Sequence, residues 1–253
     1  MKSILRLCCI SLLAHSVARA GILPASSRVI YAEQSKEQSL LLANSNDYPV
    51  VVQIWVDEGS GNLDLAKAPF VVLPAIFKMN PKGIQAIRIV QNGDAMPADR
   101  ESVYWLNLYE IPGKTPEQIQ PVSESQARLD LAMNTQLKIF YRPASLAKMN
   151  IEQIAAQLRF SLQQSAGQWF LLCHNPTPYH ISFTGLKVIH GQQSRVVAKQ
   201  MDMMTPAQAN RIYPLEQASQ SAEFDRIEFT LLDDQGTMRS GLFDPKTNRT
   251  QLK

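Results

Sequence analysis

The chain has 253 residues, with 25 Lys and Arg against 22 Asp and Glu. Lys2, Arg6 and Arg19 carry the whole excess, and removing those three from the 25 leaves 22 of each sign. Net charge therefore points neither to nucleic acid nor to an acidic membrane surface. No apolar run after the N-terminal one approaches the ~20 residues a membrane helix needs, which predicts no membrane anchor.

Lys2 and Arg6 introduce the short apolar stretch Leu7 to Ala14, and Ala18-Arg19-Ala20 has the small-residue pattern of a cleavage site. Residues 1–20 are thus expected to be a secretory signal peptide, with Gly21 as the mature N-terminus. About 230 residues remain, enough for one large or two ordinary domains. Cys8 and Cys9 lie inside the signal, leaving Cys173 as a lone thiol without an internal disulfide partner.

From Gly21 to about Arg142 the sequence reads as short strands separated by turns. Arg28–Tyr31 is the first. Ser39–Ala43 follows and stops at Asn44-Ser-Asn-Asp47. Val50–Val56 is rich in β-branched residues and ends at Asp57-Glu-Gly-Ser-Gly61. Phe70–Leu73 runs into Pro74, Ala86–Val90 ends at Asn92-Gly93, and Val103–Tyr109 ends at Ile111-Pro112-Gly113. The polar segment 113–126 reads as a loop. A long strand is expected over 128–143. Leu129, Leu131, Met133, Leu137, Ile139 and Tyr141 share one parity, and Arg128, Asp130, Asn134, Gln136 and Lys138 share the other. Side chains of a strand alternate between its faces, so one face of this strand is apolar.

After Pro143 the pattern changes. Ile151, Ile154, Ala155 and Leu158 fall at helical spacing, which predicts a short helical turn near a domain junction, with a strand equally open. A second strand set follows at Trp169–Cys173, Tyr179–Phe183, Gly185–Ile189 and Ile227–Leu232, with a hairpin turn at Asp233–Gly236. Strands of this length and spacing predict an all-β chain of two sandwich domains, 21–143 and 149–253.

The chemistry of common enzymes is missing from the sequence. Beyond residue 20 the histidines are His174, His180 and His190. Cys173 and His174 are adjacent, so on a strand they face opposite sides and cannot chelate together. There is no C-x-x-C, H-x-x-x-H, G-x-S-x-G, Walker loop or dinucleotide fingerprint. The expectation is no enzyme, no metal and no cofactor, with Cys173 a buried structural residue. Asn248-Arg249-Thr250 matches the glycan acceptor triplet, a match common by chance.

The run from Met96 to Pro112, Met-Pro-Ala-Asp-Arg-Glu-Ser-Val-Tyr-Trp-Leu-Asn-Leu-Tyr-Glu-Ile-Pro, closely resembles the signature of periplasmic pilus-assembly chaperones, the PapD-like family. Arg28–Tyr31, Val52–Asp57, Pro69–Pro74, Lys138–Pro143 and Asn175–Tyr179 fall in the family's order. For such a family the architecture is a β-sandwich and complexes form by addition of a strand. The resemblance implies two immunoglobulin-like β-sandwich domains in a boomerang (L-shaped) arrangement with an interdomain cleft. It implies a periplasmic location and pilus (fimbrial) subunits as clients, stabilised by donor-strand complementation and passed to an outer-membrane usher.

Residue by residue, Arg28 and Lys138 match the pair that grips the subunit's C-terminal carboxylate. Leu129, Leu131 and Met133 match the apolar residues of the donor strand. Glu101, Arg142 and Asp234 match an interdomain ion network, with the neighbouring Asp233 an alternative to Asp234. The 113–126 segment is longer than in short-loop members and lacks the Cys pair of long-loop members, leaving the subtype open. Self-association that hides the apolar strand is a further expectation for the free protein. The alternative to a chaperone is a secreted immunoglobulin-like binding or adhesin module.

Overall fold

A computed structural model describes residues 21–65, 67–113, 131–216 and 223–253. In chain order the first half contains β1 (Ile22–Pro24), β2 (Arg28–Ala32), β3 (Gln38–Asn44), β4 (Val50–Asp57), β5 (Phe70–Leu73), β6 (Ile76–Met79), β7 (Ile84–Gln91), β8 (Ser102–Pro112) and β9 (Met133–Arg142). A single-turn helix, α1 (Ile151–Ala155), separates these from β10 (Arg159–Ser165), β11 (Gln168–Asn175), β12 (Ile181–His190) and β13 (Gln193–Val196). The chain closes with β14 (Met204–Thr205), β15 (Ala209–Pro214), β16 (Arg226–Leu232), β17 (Met238–Asp244) and β18 (Arg249–Leu252).

The first half folds as two facing sheets, ordered β1-β3-β7-β5 and β2-β9-β8-β4-β6. The alternation legible in the sequence decides which side chains enter between them. Val50, Val52, Ile54 and Val56 of β4 are buried, while Val51, Gln53 and Trp55 point outward. Tyr31, Leu42, Ile87, Leu106 and Ile139 meet in the same core. One end is sealed by polar groups. Buried Glu110 accepts from the Ile22 N–H at 2.9 Å and from Asn46 Nδ2 at 2.7 Å, and Asn46 Oδ1 accepts from Gly21 N at 2.9 Å.

The second half repeats the arrangement with sheets ordered β10-β11-β15 and β13-β12-β16-β17-β18, β14 also pairing with β12. Phe160, Phe183, Phe229 and Tyr213 contact one another edge-on or stacked within its core. The two strands expected at 179–189 are one strand, β12, with a register shift between Phe183 and Gly185. At α1 the helical reading holds: Asn150 Oδ1 accepts from the Gln153 N–H, and Gln153 Oε1 accepts from the Asn150 N–H. That reciprocal cap stabilises a turn too short to persist alone.

The halves touch through backbone and side chains. The Glu101 N–H donates to the Pro178 carbonyl at 2.8 Å, and the Tyr179 hydroxyl donates to the Ala147 carbonyl at 2.8 Å. Gly236, at φ +78° in the turn after β16, lies so near Ser27 that a Cβ there would collide with its hydroxyl. Glycine thus serves both the turn geometry and the close approach.

Candidate binding surface

The site grows from one pairing. β2 runs parallel to β9, with Arg28 opposite Lys138 and Ala32 opposite Arg142. Val29 and Tyr31 turn into the core, so Arg28, Ile30 and Ala32 turn the other way, toward the second half of the molecule. On β9 the apolar parity of Leu137, Ile139 and Tyr141 is buried, and Lys138 and Arg142 share the opposite face. Phe140 breaks this rule. It belongs to the polar parity and is buried, because the His180 ring lies 6.0 Å from it and the Arg28 guanidinium lies over its face at 5.6 Å.

The two cations sit in unequal surroundings. Lys138 Nζ is in close contact with Asp202 Oδ1, contributed by the segment between β13 and β14. Asp202 Oδ2 also accepts from Arg211 Nη1 at 3.0 Å. Among the described residues, Arg28 Nε is buried with no hydrogen-bond partner. Burial pushes the Arg28 guanidinium below its ordinary pKa, opposed by the charges of Asp234, Asp233 and Glu101.

Four residues away on β9, Arg142 joins the two halves. Its Nε donates to Glu101 Oε1 at 2.8 Å, and its Nη1 and Nη2 donate to Asp234 Oδ2 and Oδ1 at 2.6 and 2.7 Å. Glu101 is only 1% exposed and also accepts from the His180 backbone N–H at 2.7 Å. Burial lowers the Arg142 pKa, but the Asp234 and Glu101 contacts outweigh it and hold the group above its ordinary value. Asp233 faces its own turn instead, accepting from the Gln235 and Thr237 N–H groups at 3.1 and 2.8 Å. The geometry thus brings Glu101, Arg142 and Asp234 together and leaves Asp233 out.

The residues expected to form a donor strand are placed less completely. Leu129 lies outside the described residues. Leu131 is described but precedes the strand, which among the described residues runs from Met133. Met133 pairs with Glu110, the last residue of β8 that pairs with β9. Leu131 and Met133 are 63% and 50% exposed, although they continue the parity that is buried from Leu137 onward. β8 pairs with β9 from Met133 to Tyr141, but β2 covers only Lys138–Arg142. Among the described residues, the other edge of Met133–Leu137 carries no strand.

Two contributors have no signal in the sequence. His180 follows the Asn175–Tyr179 motif directly, so its neighbourhood was visible but its contact with Glu101 was not. Asp202 lies 64 residues from Lys138 with no local pattern around it.

Cys173 is fully buried, and burial pushes its thiol up to about 12, against a weaker opposing contact from Thr205. A raised pKa keeps the thiol protonated near neutrality and chemically quiet. Native protein at pH 8 is expected to resist iodoacetamide at Cys173 under conditions that alkylate the urea-unfolded chain fully. Equal rates in the two states, followed by mass spectrometry, would contradict that burial.

Taken together, the described residues define an all-β protein of two immunoglobulin-like sandwiches, linked by an ion network beside a pair of cations and an uncovered strand edge. The family description "Pili and flagellar-assembly chaperone, PapD N-terminal domain" matches residues 21–147, and "Pili assembly chaperone PapD, C-terminal domain" matches residues 153–243. "Chaperone protein LpfB" of Salmonella typhimurium is 31% identical over 229 residues, covering 90% of each chain. "Chaperone protein FimB/FhaD" of Bordetella pertussis is 32% identical over 218 residues, covering 83% of this chain and 84% of its own. The crystal structure of the YadV chaperone matches with a TM-score of 0.72 at 26% identity, covering 88% of this chain and 98% of that one. The chain belongs to the PapD-like family of pilus-assembly chaperones, which are not enzymes.

Proposed function

We propose that this protein is exported by a signal peptide cleaved before Gly21 and acts in the periplasm as a chaperone for fimbrial subunits. It holds a subunit by lending it the edge of β9 and passes it to an outer-membrane usher. The observation that carries this reading is the point where β2 begins. The uncovered edge of β9 begins just where Arg28 and Lys138 stand side by side. A bound segment that covers Met133–Leu137 and ends at those cations must run parallel to β9, in line with β2. Its terminal carboxylate then meets both positive charges, while its backbone takes the open ladder.

Energy divides between the two parts. Burying Leu129, Leu131 and Met133 in a client's open core would contribute roughly 5–9 kcal/mol before the cost of ordering both chains. Each charge-assisted hydrogen bond to the carboxylate would add about 1.5–3 kcal/mol. The apolar side chains supply most of the affinity, and the cations choose the register, because a one-residue slip would put the client's apolar set on the wrong face. Glu101, Arg142 and Asp234 hold the two sandwiches at the angle this requires.

The test is co-expression with a fimbrial subunit that aggregates alone. Soluble subunit co-purifying with this chain is the expected result. Leu131→Glu, at an exposed position, should leave the fold intact and cut recovery of the subunit at least tenfold. Undiminished co-purification by that variant would count against the lent strand.

A further inference from the structure

One of the two anchoring cations already has an anion, and it comes from the other half of the chain. Asp202 Oδ1 contacts Lys138 Nζ, while Arg28 Nε on the neighbouring strand is buried without a partner among the described residues. We propose that Asp202 is an intramolecular stand-in for the client's terminal carboxylate, holding Lys138 in the free chain and giving it up when a client arrives. This rests on the reading of Arg28 and Lys138 as the carboxylate anchor.

Three features make Asp202 suited to leave. First, it satisfies only half of the cation pair. A client carboxylate has two oxygens and can reach both charges, whereas Asp202 contacts Lys138 and leaves Arg28 Nε unmet. Second, its departure strands no charge. Oδ2 stays with Arg211 Nη1 at 3.0 Å, and Arg211 is held independently by the Met204 carbonyl at 2.6 Å and Gln200 Oε1 at 2.9 Å. Third, the Asp202 side chain is one-third exposed, so water can take the place of Lys138 on Oδ1. Removing a partner from a buried pair is costly, but a partly exposed pair exchanges partners at little cost.

The consequence is a toll on weak ligands. If the internal pair is closed about nine-tenths of the time, apparent affinity for any competing carboxylate falls about tenfold. A client that also fills the ladder overcomes this readily. A free carboxylate or an ill-matched peptide does not, so Asp202 narrows the choice of occupant.

The experiment compares purified wild type, Asp202→Asn, Asp202→Glu, Lys138→Ala and the double variant Lys138→Ala/Asp202→Asn. The probe is a synthetic peptide of alternating Val and Thr ending in a free carboxylate, with its C-terminal amide as the control, and dissociation constants are read by calorimetry. Thermal unfolding of each variant establishes that it is folded. Asp202→Asn retains an oxygen for Arg211, and Asp202→Glu retains the charge as well. Expected are binding of the acid about three- to tenfold tighter by Asp202→Asn than by wild type, no change for the amide, and near wild-type affinity for Asp202→Glu. In the Lys138→Ala background Asp202→Asn should change nothing. Equal or weaker acid binding by Asp202→Asn overturns the stand-in. It leaves the anchor standing if wild type still prefers acid to amide and Lys138→Ala does not. Failure of wild type to prefer the acid, including failure to bind either peptide, overturns the anchor and the stand-in with it.

Discussion

Lys138→Ala and Arg28→Ala are each expected to yield a folded protein that no longer recovers a co-expressed fimbrial subunit. Loss of one charge-assisted contact of about 2 kcal/mol corresponds to roughly a thirtyfold weaker complex. The loss of register adds to this, because the client strand is no longer fixed at its end. The two variants differ in what they do to the free protein, and that difference separates binding from folding. Lys138→Ala removes a partly exposed pair, and Asp202 keeps Arg211, so a stability change of at most about 1 kcal/mol is expected. Arg28→Ala removes a buried Nε donor that has no partner among the described residues, which relieves a desolvation cost while giving up its packing over Phe140. Its melting temperature should stay within a few degrees of wild type. Measured by subunit co-purification and thermal unfolding together, normal subunit recovery by both variants would refute the anchor role.

Arg142→Ala is expected to have the largest effect on the protein itself. Glu101 is almost fully buried, and Arg142 is its cationic partner, His180 contributing a backbone N–H and a ring nitrogen at 3.1 Å. Taking Arg142 away leaves that carboxylate buried without a full counter-charge, a change that costs about 3–5 kcal/mol in comparable settings. It also frees Asp234, whose two oxygens face Arg142 Nη1 and Nη2. Arg142→Lys should recover little, because an ammonium cannot reproduce the planar fork that reaches both carboxylates. For domains of this size the loss corresponds to a fall of roughly 6–20 °C in the unfolding temperature of the joined unit. Small-angle scattering should show the two sandwiches less fixed relative to one another. An unchanged scattering profile together with unchanged unfolding would mean that the network does not set the domain angle.

How far the fold was legible depends on where each strand lies. β4, β8 and β16 are interior strands, and their alternation was readable because neighbours on both sides and a core face constrain them. Strands that the sequence pattern did not reveal include β1, β6, β10, β13, β15 and β18, all at sheet edges. An edge strand has a partner on one side only and accepts polar residues, so its pattern fades into that of a loop unless it stays apolar, as the edge strands β2 and β5 do. β6, Ile-Phe-Lys-Met, is an example, with Ile76 exposed although apolar. The helical turn at Ile151–Ala155 was readable as apolar spacing. Its cap at Asn150 and Gln153 removes the ambiguity with a strand.

The candidate site was legible in a similar, partial way. Arg28, Lys138, Glu101 and Arg142 lie in family motifs, each of which is local in sequence, and Asp234 lies in the turn expected at Asp233–Gly236. Asp202 and His180 had no such signal. Nor did the choice between Asp233 and Asp234, since neighbours in a turn differ only in which way the backbone aims them.

By itself the amino-acid order determined that this is a two-sandwich β protein with an apolar strand before Lys138, because alternation and turn residues act over a few positions and need no knowledge of the rest. Tertiary structure alone decided that Phe140 is buried against its own parity, that β2 begins opposite Lys138 so that, among the described residues, no strand covers that edge of Met133–Leu137, and that Asp202 meets Lys138. The β2–β9 pairing joins segments far apart in sequence within one sandwich, the Phe140 and Asp202 contacts depend on how the two halves meet, and such long-range contacts leave no periodic trace in either segment.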